Sequence, residues 1–515
     1  MKKTTHAPKP GLPRVSSDSS GSRIAVIGGG IAGVAAATVL AEHGASVVLF
    51  EREAQLGGRV RGWPDQLSDG SGFTMERGFH AFFRNYYNLR ALLRRVDPGL
   101  TLLEPLEDYP LLGPNGHHES YAGLPRQTPL NLLALIARTR TLGIRDLPAI
   151  PSWPTLAMLA YDESATFSEF DGISAGEFLD SLNFPVGARR MLFDIFAHSF
   201  FNPERVMSAA EMIRLFHVYF TGNPEGLVFD VLRVPFADVW CRFEALLHRN
   251  GADVRLATAV TAIGDAAAGG VRVKTAAGDD EFASVVLACE VPGLQALSRA
   301  GSGRIGAALS DVASRVGTTA PFAVWRLWLD RPTAPGRAPF AAVGGLGRLD
   351  NISLYHLFQD DGRAFSARTG GSVVELHAYA LEGMDAPDAE AQLRAELHAT
   401  LEELYPEIAG ATVLDERWIL AADCPAFEVG AWQSRPTTTT TDPRLVLAGD
   451  HVRLPVPAAL MEGAATSGFL AANSLLRYLG VAGVAVDSVP LRGILSGAAA
   501  FCRRANVGPF RSKAA

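Results

Sequence analysis

Three glycines, Gly28, Gly30 and Gly33, stand in GxGxxG spacing between an apolar run, Ile24 to Ile27, and a helix-forming stretch, Val34 to His43. That spacing suits the pyrophosphate of a dinucleotide. Gly28 permits a tight turn, Gly30 lets backbone approach the phosphates, and Gly33 lets the helix lie close to the strand before it. The first amides of that helix lack helical acceptors and face negative charge. A second β-rich run, Ser46 to Phe50, ends at Glu51, whose carboxylate suits the ribose hydroxyls, with Arg52 beside it.

Two more segments extend the site beyond a nicotinamide dinucleotide. Gly57 and Gly58 bring flexible backbone and Arg59 a guanidinium toward the same pyrophosphate. Near the other end of the chain, Gly449 and Asp450 follow an apolar strand, where a carboxylate meets the hydroxyls of a ribityl chain. Met461, Glu462, Gly463 and Ala464 then open a helix whose free amides stabilise charge at a flavin pyrimidine.

These residues need a scaffold, and the chain supplies it in pieces. Ser22 to Arg59 reads as a βαβ unit. Phe236 to Asn250 reads as a helix, followed by strand-like runs at 253–256, 270–275 and 284–288. Residues 101–221 carry helical spacing broken by prolines, a helical insert. Strands are expected at 322–329, 372–380 and 417–421, with a helix over 387–404, before the strand 444–448 and the helix 461–476 return to the first unit. Thr437 to Thr441 reads as an exposed connector. The fold class is α/β with two interleaved domains. One is a dinucleotide-binding domain from residues 23–100, 225–300 and 440–480. The other is an α+β substrate domain from 101–224 and 301–439. A disordered tail, 1–22, and an extension, 481–515, flank them.

Composition narrows the partners. The 515 residues are 48% hydrophobic and 20% charged, with a net charge of −7, which gives no footprint for a nucleic acid. Four cysteines, Cys241, Cys289, Cys424 and Cys502, have no paired spacing, so neither a disulfide framework nor a metal site is expected, and a reducing cytoplasm fits. No window is apolar and long enough to span a bilayer. Thr128 to Leu142 could instead lie on a membrane surface, with Leu130, Leu132, Leu133, Leu135 and Ile136 crowding one side and Arg138 and Arg140 meeting headgroups; a core helix is the competing reading. Residues 150–160, with Trp153, Leu156, Met158 and Leu159, and residues 491–510 are further candidates.

The βαβ unit through Arg59, the stretch Glu76-Arg77-Gly78-Phe79-His80-Ala81-Phe82-Phe83 with Tyr86, Tyr87 and Asn88, and Gly449-Asp450 with Met461 to Ala464 and Ser467-Gly468 together carry a likeness. The chain resembles the FAD-dependent amine oxidase and phytoene desaturase superfamily. Within it, residues 78–88, 121–125 and 490–493 look most like the β-carotene desaturase/methylase enzymes of the isorenieratene synthase type. The resemblance implies an FAD-binding Rossmann-like domain of the glutathione-reductase type. Gly28, Gly30, Gly33, Glu51, Gly57, Gly58, Arg59, Asp450 and Met461 would contact FAD, and Val260 would reach the adenine through its backbone. Ile31, Ala32, Arg52, Gly78, Phe79, Gly449, Gly463 and Ala464 complete the expected contacts. No cysteine stands near Met461, so the FAD would be held non-covalently.

The resemblance also implies the chemistry. Amine oxidases of the superfamily commonly use a lysine to hold a water near the flavin. The five lysines here are Lys2, Lys3, Lys9, Lys274 and Lys513, and Lys274 is poorly suited. A hydrocarbon ring that loses hydride becomes a cation, which Phe79, Phe82, Phe83, Tyr86 and Tyr87 suit by their π faces. Hydride loss from a β-ionone ring, migration of a geminal methyl and loss of a proton would move the ring toward aromaticity. Glu76, His80 and Glu462 are the candidate bases. The substrate would be a carotenoid drawn from a membrane surface by a cytoplasmic, peripherally bound enzyme. The electron acceptor is left open, and the alternative reactions are another carotene desaturation or the oxidation of a small amine by a soluble enzyme.

Overall fold

The computed structural model describes residues 2–15, 23–141, 152–190 and 195–505. Its first layer is a parallel sheet in the order Asp253–Arg255, Ser46–Phe50, Arg23–Ile27, Ser284–Leu287, Leu445–Leu447. Ile24 and Val26 join one hydrophobic core while Ala25 and Ile27 join another, because successive side chains point to opposite faces of a strand. A parallel strand covered on both faces therefore reads as an unbroken apolar run.

The first face is covered by the helices Ile31–Glu42, Phe236–Arg249 and Leu460–Tyr478. Ile31–Glu42 is buried from Ile31 to Ala41, since it lies between the sheet and Leu460–Tyr478. Close approach of these two helices depends on Gly468, where a Cβ would stand 2.3 Å from the carbonyl oxygen of Ala32. The second face carries the antiparallel strands Val260–Asp265, Val271–Thr275 and Gly278–Phe282 with the helices Val291–Ala300 and Gly303–Ala313.

A second sheet of seven strands runs Val413–Ala421, Phe322–Leu329, Ser372–Ala378, Asn351–Leu354, Phe340–Val343, Leu111–Gly113, His117–Glu119. The helix Ala389–Leu404 covers one face through Leu393, Leu397 and Leu401. On the strand Ser372–Ala378, Glu375 and His377 share the opposite face. The register sets Arg326 beside Glu375 and Val324 beside His377.

Three expectations about the scaffold need correction. The tail is not wholly disordered: Thr4–His6 pairs with Val486–Ser488, and Lys3 and Thr5 donate to Asp487 at 2.8 and 2.5 Å. Polar residues form this strand because their partner at the far end of the chain supplies both the ladder and a carboxylate. Residues 16–22 lie outside the described residues. The insert opens with strands, Leu103–Leu106, Leu111–Gly113 and His117–Glu119, two of which extend the second sheet; its helices begin at Leu130. The threonine run is no free connector, since Thr439 bridges Val446 and the Thr438 carbonyl accepts the Leu447 N–H at 2.9 Å.

Candidate active site

A cavity opens at the C-terminal ends of the parallel strands, where ligands bind in open α/β sheets, and continues to the second sheet. The three glycines at its floor do different work. A Cβ at Gly28, where φ is +107°, would stand 2.6 Å from the Ala288 carbonyl oxygen, and one at Gly33 only 1.8 Å from that of Gly28. Those two positions exclude side chains for the sake of the fold. At Gly30 the nearest atom to such a Cβ is the Gly58 Cα at 3.8 Å, so this glycine keeps space open instead.

Around that space the donor set matches FAD. Gly30 bridges Gly57, and the amides at the start of Ile31–Glu42 face a cradle that Gly30 leaves uncrowded, while the missing side chain at Gly57 lets its turn lie against Trp240. Arg59 donates from Nη2 to Asp450 Oδ1 at 2.5 Å, joining the guanidinium after the first motif to the carboxylate of the last. Glu51 accepts from the Gly29 and Glu53 N–H groups at 2.6 and 2.9 Å; burial raises its carboxyl against those bonds. Arg52 pairs with Glu290 at 3.0 Å across the mouth.

Most of the expected contacts stand in this wall: Gly28, Gly30, Ile31, Ala32, Glu51, Arg52, Gly57, Gly58, Arg59 and Phe79, then Gly449, Asp450, Met461 and Ala464. Four do not. Gly33 is spent on helix-to-turn contact, as above. Gly78 yields its side-chain space to His377, whose Cε1 would lie 2.7 Å from a Cβ there. The Gly463 N–H is taken by the Ala459 carbonyl in the first helical turn. Val260 belongs to the antiparallel layer, paired with Thr275, outside the cavity wall. Cys289 and Glu290 line the same end of the cavity at the tip of Ser284–Leu287. They were legible only as the residues after a buried strand.

Beyond the cradle the wall becomes aromatic. Phe79 stacks on Phe340 with centroids 4.6 Å apart, and Tyr109 meets Phe229 at 4.9 Å and stacks on Tyr121 at 5.0 Å. Phe83 and Tyr86 join Tyr219 along the other side, with Phe83 to Tyr219 at 4.9 Å. Of the expected aromatic run, Phe79, Phe83 and Tyr86 line the cavity. Phe82 and Tyr87 pack into the core instead. Lys274 is exposed on the strand Val271–Thr275 and does not line the cavity.

The candidate bases separate in the same way. Glu76 is buried away from the cavity, accepting from the Phe236 N–H at 2.7 Å and Gln359 Nε2 at 2.9 Å; burial pushes its carboxyl up to about 7. It fastens the helix Phe236–Arg249 to the strand Gly72–Glu76 and cannot reach a substrate there. Glu462 is likewise turned away. It accepts from the Asn88 N–H at 2.9 Å, Asn88 Nδ2 at 2.8 Å and the Leu89 N–H at 2.9 Å, so it closes the first turn of the helix Tyr87–Leu93. Burial raises it to about 8 against those donors.

His80 alone of the three lines the cavity. Its Nδ1 lies 2.7 Å from the Gly78 carbonyl, which only accepts, so in the neutral ring Nε2 keeps the lone pair. Burial lowers this imidazole to about 4, and it is neutral at physiological pH.

A second set of groups escaped the sequence reading. Glu375 accepts from Arg326 Nε at 2.8 Å, from His377 Nε2 at 2.7 Å and from the Phe79 N–H at 2.8 Å. Burial opposes its charge, but Arg326 and the His377 hydrogen bond outweigh burial and hold the carboxyl down to about 2. His377 Nδ1 lies 2.7 Å from Tyr379 Oη, to which Asn351 Nδ2 donates at 3.0 Å. His377, Tyr379 and Asn351 all line the cavity. The signal was the spacing 375, 377, 379, two polar groups on one face of the strand Ser372–Ala378 and a third just past its end.

Residues 31–476 match the family of flavin containing amine oxidoreductases. The chain is 44% identical over 472 residues to a carotenoid phi-ring synthase of Streptomyces griseus, covering 91% of this chain and 90% of that protein. It is 27% identical to a carotenoid phi-ring synthase of Chlorobaculum tepidum, covering 92% and 91%. Among solved structures it is similar to the cyclohexylamine oxidase of Brevibacterium oxydans, with a TM-score of 0.64 and 14% identity over 89% of this chain and 99% of that one. That last likeness concerns the fold.

Proposed function

From the premise that this chain belongs to the flavin containing amine oxidoreductase family and is an FAD-dependent oxidoreductase, we propose that it oxidises a carotenoid β-ring toward aromaticity with migration of a ring methyl. The observation that carries this reading is the chamber beyond the cradle, walled by Phe79, Phe83, Tyr109, Phe229 and Phe340, with no lysine among the described residues of its lining. The lining carboxylates Asp423 and Asp450 are already paired with Arg77 and Arg59, so neither is left to hold an ammonium group. A flat hydrocarbon ring finds π faces, each worth about 0.5–2 kcal/mol to a cation. The two phi-ring synthases similar over nine-tenths of the chain support the same class.

When bound, FAD supplies the acceptance of hydride. The chain's own residues do the rest. Gly30 leaves room for the pyrophosphate, and Arg59 and Asp450 brace the far end of the cradle. Aromatic faces hold the ring, exclude water and stabilise positive charge while a geminal methyl moves to the neighbouring carbon. Neutral His80 takes a proton at Nε2, which completes a ring double bond.

Access from a lipid surface is part of the reading. On the helix Leu130–Arg138, Leu130, Leu133 and Ile136 are 53%, 59% and 41% exposed, an apolar side turned outward at i, i+3 and i+6. By contrast Met158, expected to extend this surface, is buried at 5% exposure in the core; Ile150 and residues 506–510 lie outside the described residues. Among the described residues no helix is long and apolar enough to cross a membrane. The test is co-expression with a pathway that makes β-carotene, followed by chromatography and mass spectrometry of the pigments. Rings lighter by four hydrogens with all carbons retained support the proposal; unchanged β-carotene beside flavin-loaded protein refutes it.

A further inference from the structure

Ring aromatisation, as proposed above and as this step presupposes, removes two hydrides and two protons from each ring, and the protons leave different carbons. His80 serves one of them. We propose that Tyr379 accepts the other, passing its own phenolic hydrogen to His377, with Glu375 and Arg326 as the groups that position and charge-balance this relay.

The directions of the hydrogen bonds set the relay. Glu375 is ionised and only accepts, so His377 Nε2 carries a hydrogen across the 2.7 Å contact. In the neutral imidazole Nδ1 then holds the lone pair, and the Tyr379 hydroxyl donates into it at 2.7 Å. Asn351 Nδ2 fills one acceptor position on Tyr379 Oη at 3.0 Å, which leaves another. Glu375 is held from three sides, by Arg326, His377 and the Phe79 N–H, and is fully buried. Burial raises the Tyr379 phenol, which disfavours a free phenolate and makes transfer onward to His377 the accessible course.

In the step, a ring C–H bond next to the cationic carbon breaks and its electron pair becomes the ring double bond. The proton bonds to Tyr379 Oη as the phenol's hydrogen moves to His377 Nδ1. The imidazolium so formed rests against the Glu375 carboxylate, and the relay itself is neither oxidised nor reduced. Water reaches the cavity when the ring leaves and takes the proton. The arrangement sits beside His80: Gly78 lies against His377, and Phe79 ties both to Glu375. Two proton acceptors thus flank one turn of the wall.

The experiment compares the flavin-loaded wild-type chain with Tyr379→Phe, which removes one hydroxyl and keeps the ring against Phe201, 4.7 Å away. With β-carotene in lipid vesicles, turnover should fall about 100-fold. Carotenoid binding, followed by its absorption shift, should be unchanged, and rings that have lost two hydrogens should accumulate. Nitrogen-15 NMR of histidine-labelled protein reads the relay without turnover. His377 should show a hydrogen on Nε2 and none on Nδ1, and the Nδ1 resonance should move in Tyr379→Phe. For the positioning role, Glu375→Gln should shift the pH dependence of kcat while Glu375→Asp restores part of it. Wild-type rates and products from Tyr379→Phe, or a hydrogen on His377 Nδ1, would overturn the relay and leave the ring reading standing. A wild-type chain that leaves the ring intact would overturn that reading and this step with it.

Discussion

The floor of the cavity and its far wall are built by different means. The cradle is made largely of main chain: a turn, two helix starts and glycines, drawn from a few short runs, each of which carries its own local pattern. The chamber is made of side chains from elements hundreds of residues apart, meeting where the strands Phe82–Phe83 and Phe229–Leu232 come against the second sheet. The cradle should therefore be sensitive to an added methyl and indifferent to most side-chain chemistry. In the chamber the opposite should hold.

The largest effect expected is at Gly33→Val, where the added carbon starts 1.8 Å from the Gly28 carbonyl oxygen. The obstructing atom is backbone and cannot swing aside, so the turn itself must move and little soluble flavin-loaded protein should form. Gly30→Ala sharpens the point. Its Cβ is clear by 3.8 Å, so thermal melts should match wild type while flavin absorbance per chain falls. Equal loss of folding in both variants would break the distinction between turn and cradle.

In the chamber, Arg326→Met should cost about 3–5 kcal/mol in denaturant melts, because Glu375 would be left charged and buried without its partner. His80→Gln should lower turnover about 100-fold with flavin content unchanged. Its acid limb offers a second check. With His80 held at about 4 instead of the usual 6.5, activity should persist to near pH 5. The sign for stability is opposite in direction. Between about 4 and 6.5 the unfolded chain binds protons at His80, His217 and His451 that the folded chain refuses, so these groups lower stability as pH falls through that window. The smallest effect belongs to the outer surface. Leu133→Ser should weaken vesicle binding by about 1 kcal/mol in co-sedimentation and leave melting unchanged.

The same contrast explains what the sequence disclosed. Gly28 to Gly33, Glu51, Gly57 to Arg59 and Gly449-Asp450 are short runs whose residue types have few other uses, and four of the five parallel strands show as apolar stretches, the edge strand Asp253–Arg255 being the exception. Glu76 and Glu462 sit in the same kind of run but serve the scaffold, since sequence does not show that their oxygens face backbone N–H groups of Phe236, Asn88 and Leu89. Glu375, His377 and Tyr379 were invisible for the converse reason. Their polar character looks incidental on a strand until Arg326 and Asn351 are brought beside them by sheet register. The pairing of Thr4–His6 with Val486–Ser488 was equally hidden, because no local pattern marks a strand whose partner is the other end of the chain.

The central claim is that the cradle opens onto a chamber fitted to an apolar ring. It is tested most directly by mixing flavin-loaded protein with substrate under anaerobic conditions and following the flavin absorbance. β-Carotene in vesicles should bleach the flavin, and alkylamines should leave it oxidised. Bleaching by amines with none by β-carotene would contradict the account.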